Sequence, residues 1–313
     1  MKRMIYLAAA LLTLASCDEV EELIGENDPM NVVVKNDGST SNGSIFSAID
    51  DKNFYIDYIK YSVVDGHLAV TGFDDACNDN YLESPRLLSR LTVKGSSYEL
   101  LEIKDMNNCS ALKSIVLPDV TTRIGDRAFN DCNMLKRVYL GKGVKTISKN
   151  AFSGSPALQA IEAHKDNSNF ASKDGVLLNK DCSELIACPR ALSGTYSVPQ
   201  GVNSIAENAF SGCTLLRTIS LPETLKEVDA FAFRNCSGLT EITLPENISS
   251  IGSYAFTGCS SLNSVAIRAT VPPSISSDSF SFKETLHVRS GCKEAYENDV
   301  YWSRFKEIVD DLK

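Results

Sequence analysis

Leu112-Lys113-Ser114-Ile115-Val116-Leu117-Pro118 decides the fold, because its apolar positions return in register along the chain. Three residues before its Leu stands Cys109, and Cys recurs at 132, 213, 236 and 259, with Ser155 taking the place once. The steps 109 to 132 to 155 and 213 to 236 to 259 are all 23 residues long. Counted from each start, the third residue on is Leu (Leu112, Leu135, Leu158, Leu216, Leu239, Leu262). The sixth is Ile115, Val138, Ile161, Ile219, Ile242 or Val265, and the eighth is usually Leu, often followed by Pro. Ile124, Ile147, Ile205, Val228 and Ile251 then precede the pairs Ala128-Phe129, Ala151-Phe152, Ala209-Phe210, Ala232-Phe233 and Ala255-Phe256. A unit this short cannot close a core alone, so it must stack on copies of itself. Its strand turns the sixth and eighth residues inward, and Ala-Phe fills the opposite wall.

Ser155 and Cys213 are 58 residues apart, one period plus 35, so one coil, at 155–190, carries 12 extra residues. Arg190 restores the phase, with Tyr196, Val198 and Pro199 in their expected places. The extra residues include Lys173-Asp174-Gly175 before Val176-Leu177-Leu178, the signature of a β-hairpin, and predict one that protrudes. Alternate strand residues face opposite ways, so the fifth and seventh positions should be exposed in two columns. These are Ser114/Val116, Arg137/Tyr139, Ala160/Glu162, Thr195/Ser197, Thr218/Ser220, Glu241/Thr243 and Ser264/Ala266. Arg137, Tyr139, Glu162, Glu241 and Thr243 are the candidate ligand-binding residues, being of the kind that anchors an interface or orients a polar ligand. An ordinary solvated sheet face is the alternative.

Segments such as Leu112–Pro118 and Ile251-Gly252-Ser253-Tyr254-Ala255-Phe256-Thr257-Gly258-Cys259 resemble the BspA-like leucine-rich repeat of bacterial surface proteins, over about residues 98–280. The resemblance implies an α/β-type repeat solenoid, a curved right-handed array with a parallel β-sheet on its concave face. It also implies roles in adhesion to host matrix, other cells or polysaccharide, and no catalytic machinery. Fold transfers across such a family better than ligand does.

An array needs caps at both ends. Residues 44–97 are expected to form an N-terminal β cap, a hairpin of Ile59–Val64 and His67–Thr71 around Asp65-Gly66. Residues 281–313 are expected to form a C-terminal helical cap, with Ser290 as N-cap and Tyr301, Trp302, Phe305, Ile308, Val309 and Leu312 at helical spacing. Trp302 reads as a core anchor, with sugar stacking as the sharper alternative.

The first residues read as an address. Lys2 and Arg3 precede an apolar run from Met4 to Ala15, shorter than the roughly 20 residues of a membrane span, so residues 1–16 read as a signal peptide. Leu14-Ala15-Ser16-Cys17 resembles the lipobox of bacterial lipoproteins, which would make Cys17 the lipidated mature N-terminus. A chance Cys after a plain secretory signal is the alternative. Residues 17–43 read as an acidic flexible tether, since 18–43 hold seven acids and one base, Lys35. Acids directly after Cys17 resemble an export signal for surface display, so the expected location is the bacterial outer membrane, facing outward.

The chain has 31 Lys and Arg against 40 Asp and Glu, a net charge of −9 that speaks against nucleic acid as a partner. The five in-phase Cys read as small buried hydrophobes, and a 23-residue spacing matches no zinc pattern. Cys182 and Cys188 are the candidate disulfide, and Cys77 and Cys292 stay unassigned. Asp74–Asn80 reads as a solvated loop, with a Ca²⁺ loop as the weaker alternative. HExxH, the serine-hydrolase elbow, the P-loop and GxGxxG are missing, and Gly141-Lys142-Gly143 reads as a turn. The expected protein is a non-catalytic lipoprotein without metal or cofactor, held to the membrane through Cys17. It engages a host or cell-surface protein or polysaccharide through the sheet and hairpin, or serves as a scaffold docking another envelope protein.

Overall fold

The structure, a computed structural model, describes residues 31–35, 39–42, 44–74, 83–281 and 283–313. Residues 1–30, with the signal peptide and Cys17, and residues 75–82, with Cys77, lie outside the described residues. The chain divides into two compact units, residues 1–157 with 162–169, and residues 158–161 with 170–313.

Each regular coil gives one longer strand and one two-residue strand, and like strands of successive coils pair in parallel, with a break between Leu216–Ser220 and Glu241–Leu244. In the second unit Glu241–Leu244 pairs with Ser264–Ile267 residue for residue, while Ser204–Ile205, Glu227–Val228 and Ser250–Ile251 form the other ladder. The inward positions are where the period puts them. Leu112, Leu135, Leu216, Leu239 and Leu262 are buried, as are Val138, Ile242, Val265, Phe129, Phe210, Phe233 and Phe256.

The coils contain no helix at Ala-Phe, so this is a β-solenoid and not the α/β type expected. The reason is local. The residue before Ala-Phe sits in left-handed backbone at Arg127, Asn208, Phe231 and Tyr254, which stops helical propagation. The Phe amide then bonds across coils instead of back along a helix, from Phe210 to the Ala232 carbonyl (2.7 Å) and from Phe233 to the Ala255 carbonyl (2.8 Å). The rings stack in a column, Phe210, Phe233, Phe256 and Phe280, with centroids 4.8–5.1 Å apart.

The in-phase Cys do more than fill space. The thiols of Cys132, Cys236 and Cys259 donate to the carbonyls of Met106 (2.9 Å), Phe210 (3.1 Å) and Phe233 (3.1 Å) in the coil before. Ser155 does the same to Phe129 at 2.6 Å, which explains why Ser substitutes here. The turn Gly141-Lys142-Gly143 also has a stronger reason than turn propensity. A Cβ on Gly143 would lie 1.9 Å from the Asp119 carbonyl oxygen and one on Gly141 would lie 2.6 Å from that of Leu117.

In the first unit the strands Ile59–Val64 and His67–Phe73 do pair around Asp65-Gly66, but not as an isolated hairpin. They belong to a meander that begins at Phe46–Ala48 and Asn53–Ile56 and joins the repeats through the parallel pairing of His67–Phe73 with Ser96–Ile103. Asn31–Val33, expected within the flexible tether, is a strand parallel to Arg90–Val93, with Val32 only 1% exposed. The β-branched run Val32-Val33-Val34 supplies the burial that the flanking acids cannot.

The C-terminal helical cap is likewise corrected. Helix is confined to Lys293–Glu297, which starts after Cys292 and not at Ser290, and a 3₁₀ turn covers Trp302–Arg304. Glu307–Leu312 is a strand parallel to Thr285–Arg289. Ile308 pairs with Leu286, so one more inward rung outweighs the helical spacing. Trp302 is fully buried, its Nε1 donating to the Pro273 carbonyl at 2.9 Å, which rules out sugar stacking.

Candidate functional site

The expected site residues fall into two groups. In the first unit Arg137, Tyr139 and Glu162 do come together: the Arg137 guanidinium donates to the Tyr139 hydroxyl at 3.4 Å and lies 3.8 Å from the Glu162 carboxylate. They are not the open column expected. Tyr139 is 6% exposed and Ser114 7%. For Ser114 the cause is visible: residues 83–86 run beside Ser114–Val116, with the Glu83 carbonyl accepting from Lys113 and Ser114, and Ser84 bonding Ser114 at 2.6 Å. Strand alternation alone did not foresee a segment laid across that face.

In the second unit the alternation holds. Thr195, Ser197, Ser220, Glu241 and Thr243 are exposed, and Thr218, Ser264 and Ala266 partly so. Thr195 and Thr218 hydroxyls bond each other across the rungs at 2.7 Å. The columns continue beyond the expected residues. Ser264 is followed in register by Thr285 and Glu307, and Ala266 by His287 and Val309.

A row of charge borders this face. Arg268 reaches Glu223 at 2.7 Å and Arg289 reaches Glu246 at 2.9 Å, partners 45 and 43 residues apart. His287 Nδ1 meets the Asp311 carboxylate at 2.9 Å. Because these pairs are exposed, they add little stability and mainly fix side-chain positions. Spacings near twice the period were a sequence signal for them, visible only once the rungs are aligned.

The inserted hairpin, Phe170–Lys173 with Val176–Asn179, has the expected turn, Asp174 and Gly175 both at positive φ. It does not protrude freely. Val176–Asn179 also pairs with Glu184–Ala187, and the Gly175 carbonyl accepts from the Ile161 amide at 2.8 Å. Lys173, Asp174, Lys180 and Asp181 of this segment are exposed at its polar edge. Cys182 and Cys188 are free. The extended strand Glu184–Ala187 lies between them, and at about 3.3 Å per residue it holds them apart far beyond the roughly 7 Å limit for a disulfide. Cys188 is buried, and that burial, with Cys213 beside it, pushes its thiol pKa well up.

The histidines have separate partners, His67 with Arg123 (3.2 Å), His164 with the Asp166 amide (3.1 Å) and His287 with Asp311. Among the described residues no three His, Cys, Asp or Glu gather as metal ligands, and no helix is long and apolar enough to cross a membrane.

Stacked two-strand coils around a Leu, Phe and Cys core define a β-solenoid repeat protein. Residues 100–174 and 193–295, more than half of the chain, match six copies of the BspA type leucine rich repeat region. The chain belongs to that family. Its fold is similar to a leucine-rich repeat protein of Eubacterium ventriosum, at 18% identity and TM-score 0.50 over 85% of this chain and 84% of that one. A leucine-rich repeat protein of Bacteroides ovatus matches at 20% identity and TM-score 0.43 over 83% and 77%. The pneumococcal vaccine antigen PcpA matches at 18% and 0.44 over 82% and 98%. No curated protein matches the chain. Repeat proteins of this family are typically interaction or surface proteins and generally non-catalytic.

Proposed function

We propose that the protein is a non-catalytic binding module of a bacterial cell surface, anchored by lipid at Cys17 in the outer membrane and facing outward. It engages a protein partner through the ladder face of the second unit. One observation carries the reading: Thr195, Ser197, Ser220, Glu241 and Thr243 stand open, with Thr218 and Ser264 partly so, on two ladders each paired in register, Gly194–Ser197 with Leu216–Ser220 and Glu241–Leu244 with Ser264–Ile267. Hydroxyls on short side chains donate and accept at little entropic cost, and a rigid scaffold holds them in place. Exposed Glu241 and Glu307 favour a partner surface carrying Lys or Arg. Lys173, Asp174 and Lys180 on the inserted hairpin form a second polar edge for the same partner. A flat aromatic platform, the usual basis of neutral glycan binding, has no counterpart in these columns.

The test combines protease shaving of intact cells, with a periplasmic protein as leakage control, and binding of the purified protein to a panel of basic matrix proteins. Release of fragments from residues 44–313 is expected. Glu241→Lys with Thr243→Arg should lower affinity for the bound matrix protein at least tenfold with thermal stability unchanged. Protection from protease, or affinity unaffected by the double variant, overturns the reading.

A further inference from the structure

The repeat ends abruptly, and the irregularity makes a cavity. Phe256 and Phe280 are paired across coils, as are Ser264 and Thr285. From Phe256 to Ser264 the chain advances 8 residues, whereas from Phe280 to Thr285 it advances 5, so the last coil is three residues shorter. The missing residues belong to the turn that elsewhere carries the in-phase Cys or Ser and covers the coil before it. Ser281 takes the place of the next Cys, its hydroxyl donating to the Phe256 carbonyl at 3.4 Å, and the shortened turn leaves an open cavity of about 470 Å³ lined by Cys259 and Ser281.

The walls of that cavity are cationic in a protein of net charge −9. Lys283, Arg304 and Lys306 line it against a single carboxylate, Glu284, and Ser260 and Ser281 add hydroxyls. Glu284 is already engaged by Lys306. Lys283 gives one hydrogen bond, to the Ser277 carbonyl at 3.0 Å, which leaves its other donors available. The Arg304 guanidinium packs over the Tyr301 ring, 5.1 Å from its centroid, and among the described residues has no hydrogen-bond acceptor. The Ser260 hydroxyl likewise has none.

We propose that this cavity binds an oxyanion group, sulfate or carboxylate. The stack on Tyr301 preorients the guanidinium fork, whose geometry suits a planar carboxylate or a sulfate face. Ser260 supplies a neutral donor beside it. Asp278 also feels the Lys283 charge, so the site keeps an excess of one positive charge, which acts locally because charge farther than about 8 Å is screened at physiological salt. The site is distinct from the ladder face, so either can be right without the other.

The experiment is titration of the full chain with a sulfated hexasaccharide, a hexagalacturonate and neutral maltohexaose. Binding of at least one acidic probe is expected, weakening as salt rises, with maltohexaose inert. Preference between the two acidic probes identifies the source of the anion. Arg304→Gln with Lys283→Gln should reduce that affinity at least tenfold, while Lys136→Gln with Lys145→Gln, both exposed in the first unit, leaves it unchanged. Circular dichroism melts check that both variants are folded. A second readout is stabilisation: the acidic probe should raise the melting temperature of the wild type and not of Arg304→Gln/Lys283→Gln. Failure of both acidic probes to bind, equal binding of maltohexaose, or equal losses in the two double variants overturns the proposal.

Discussion

Phe233→Ala tests the ring column directly. Phe233 is fully buried and lies between Phe210 and Phe256, with centroids 4.9 and 5.1 Å away and planes within 11° and 4° of parallel. Truncating a buried Phe costs about 3–5 kcal/mol, and loss of two ring partners puts this site at the upper end, about 4–5 kcal/mol. With a urea slope of about 3 kcal/mol per molar, the midpoint should fall by roughly 1.5 M. The matched control is Phe231→Gly. Phe231 also stacks, on Tyr254 at 5.2 Å, but at the surface and at φ 59°, where a bulky side chain carries left-handed strain. Glycine removes about 1–2 kcal/mol of strain and offsets the lost contact, so Phe231→Gly should stay within about 1 kcal/mol of the wild type. The assay is urea unfolding followed by far-ultraviolet circular dichroism and by the fluorescence of Trp302. If the two variants cost the same, or Phe233→Ala costs less than about 2 kcal/mol, the column is not what holds these coils.

Tyr139→Ala should destabilise by about 2–4 kcal/mol, because the ring is buried, as thermal melts would show. The Cys132 thiol, pushed up to about 12 by burial, should resist alkylation at pH 8 in the folded protein and react once urea is added, as mass spectrometry of the modified peptides would show. Labelling of Cys132 under native conditions would contradict its place in the core.

The period, the inward residues and the phase-restoring coil were legible because each is repeated, so one coil corroborates another. What occurs once was not. Tyr301, Trp302, Phe305, Ile308, Val309 and Leu312 carry helical spacing, yet a 3₁₀ turn followed by a bulged strand produces the same spacing. The β-branched pair Ile308-Val309 and the free edge of Thr285–Arg289 decide for the strand. Exposure at Glu241 and Thr243 was readable since both sides of their face are other repeats. Exposure at Ser114 was not, because what lies beside it is non-repeating chain, residues 83–86. The cationic cavity had a faint signal, three residues missing between Phe280 and Thr285, which the alignment of Cys positions cannot register because no Cys stands in phase there.

A stack of like rungs invites its own copies. The closing strand Glu307–Leu312 leaves one row of backbone groups unpaired, the kind of edge on which a second molecule can polymerise. Its outward residues are Glu307, Asp310 and Asp311, all exposed, and the Asp310 carboxylate is turned back to hold the Gly291 amide at 2.9 Å. A second chain adding in register would set acid against acid at a spacing of about 4.8 Å. The like charge of this rung thus works against pairing of the edge with the same edge of a second molecule.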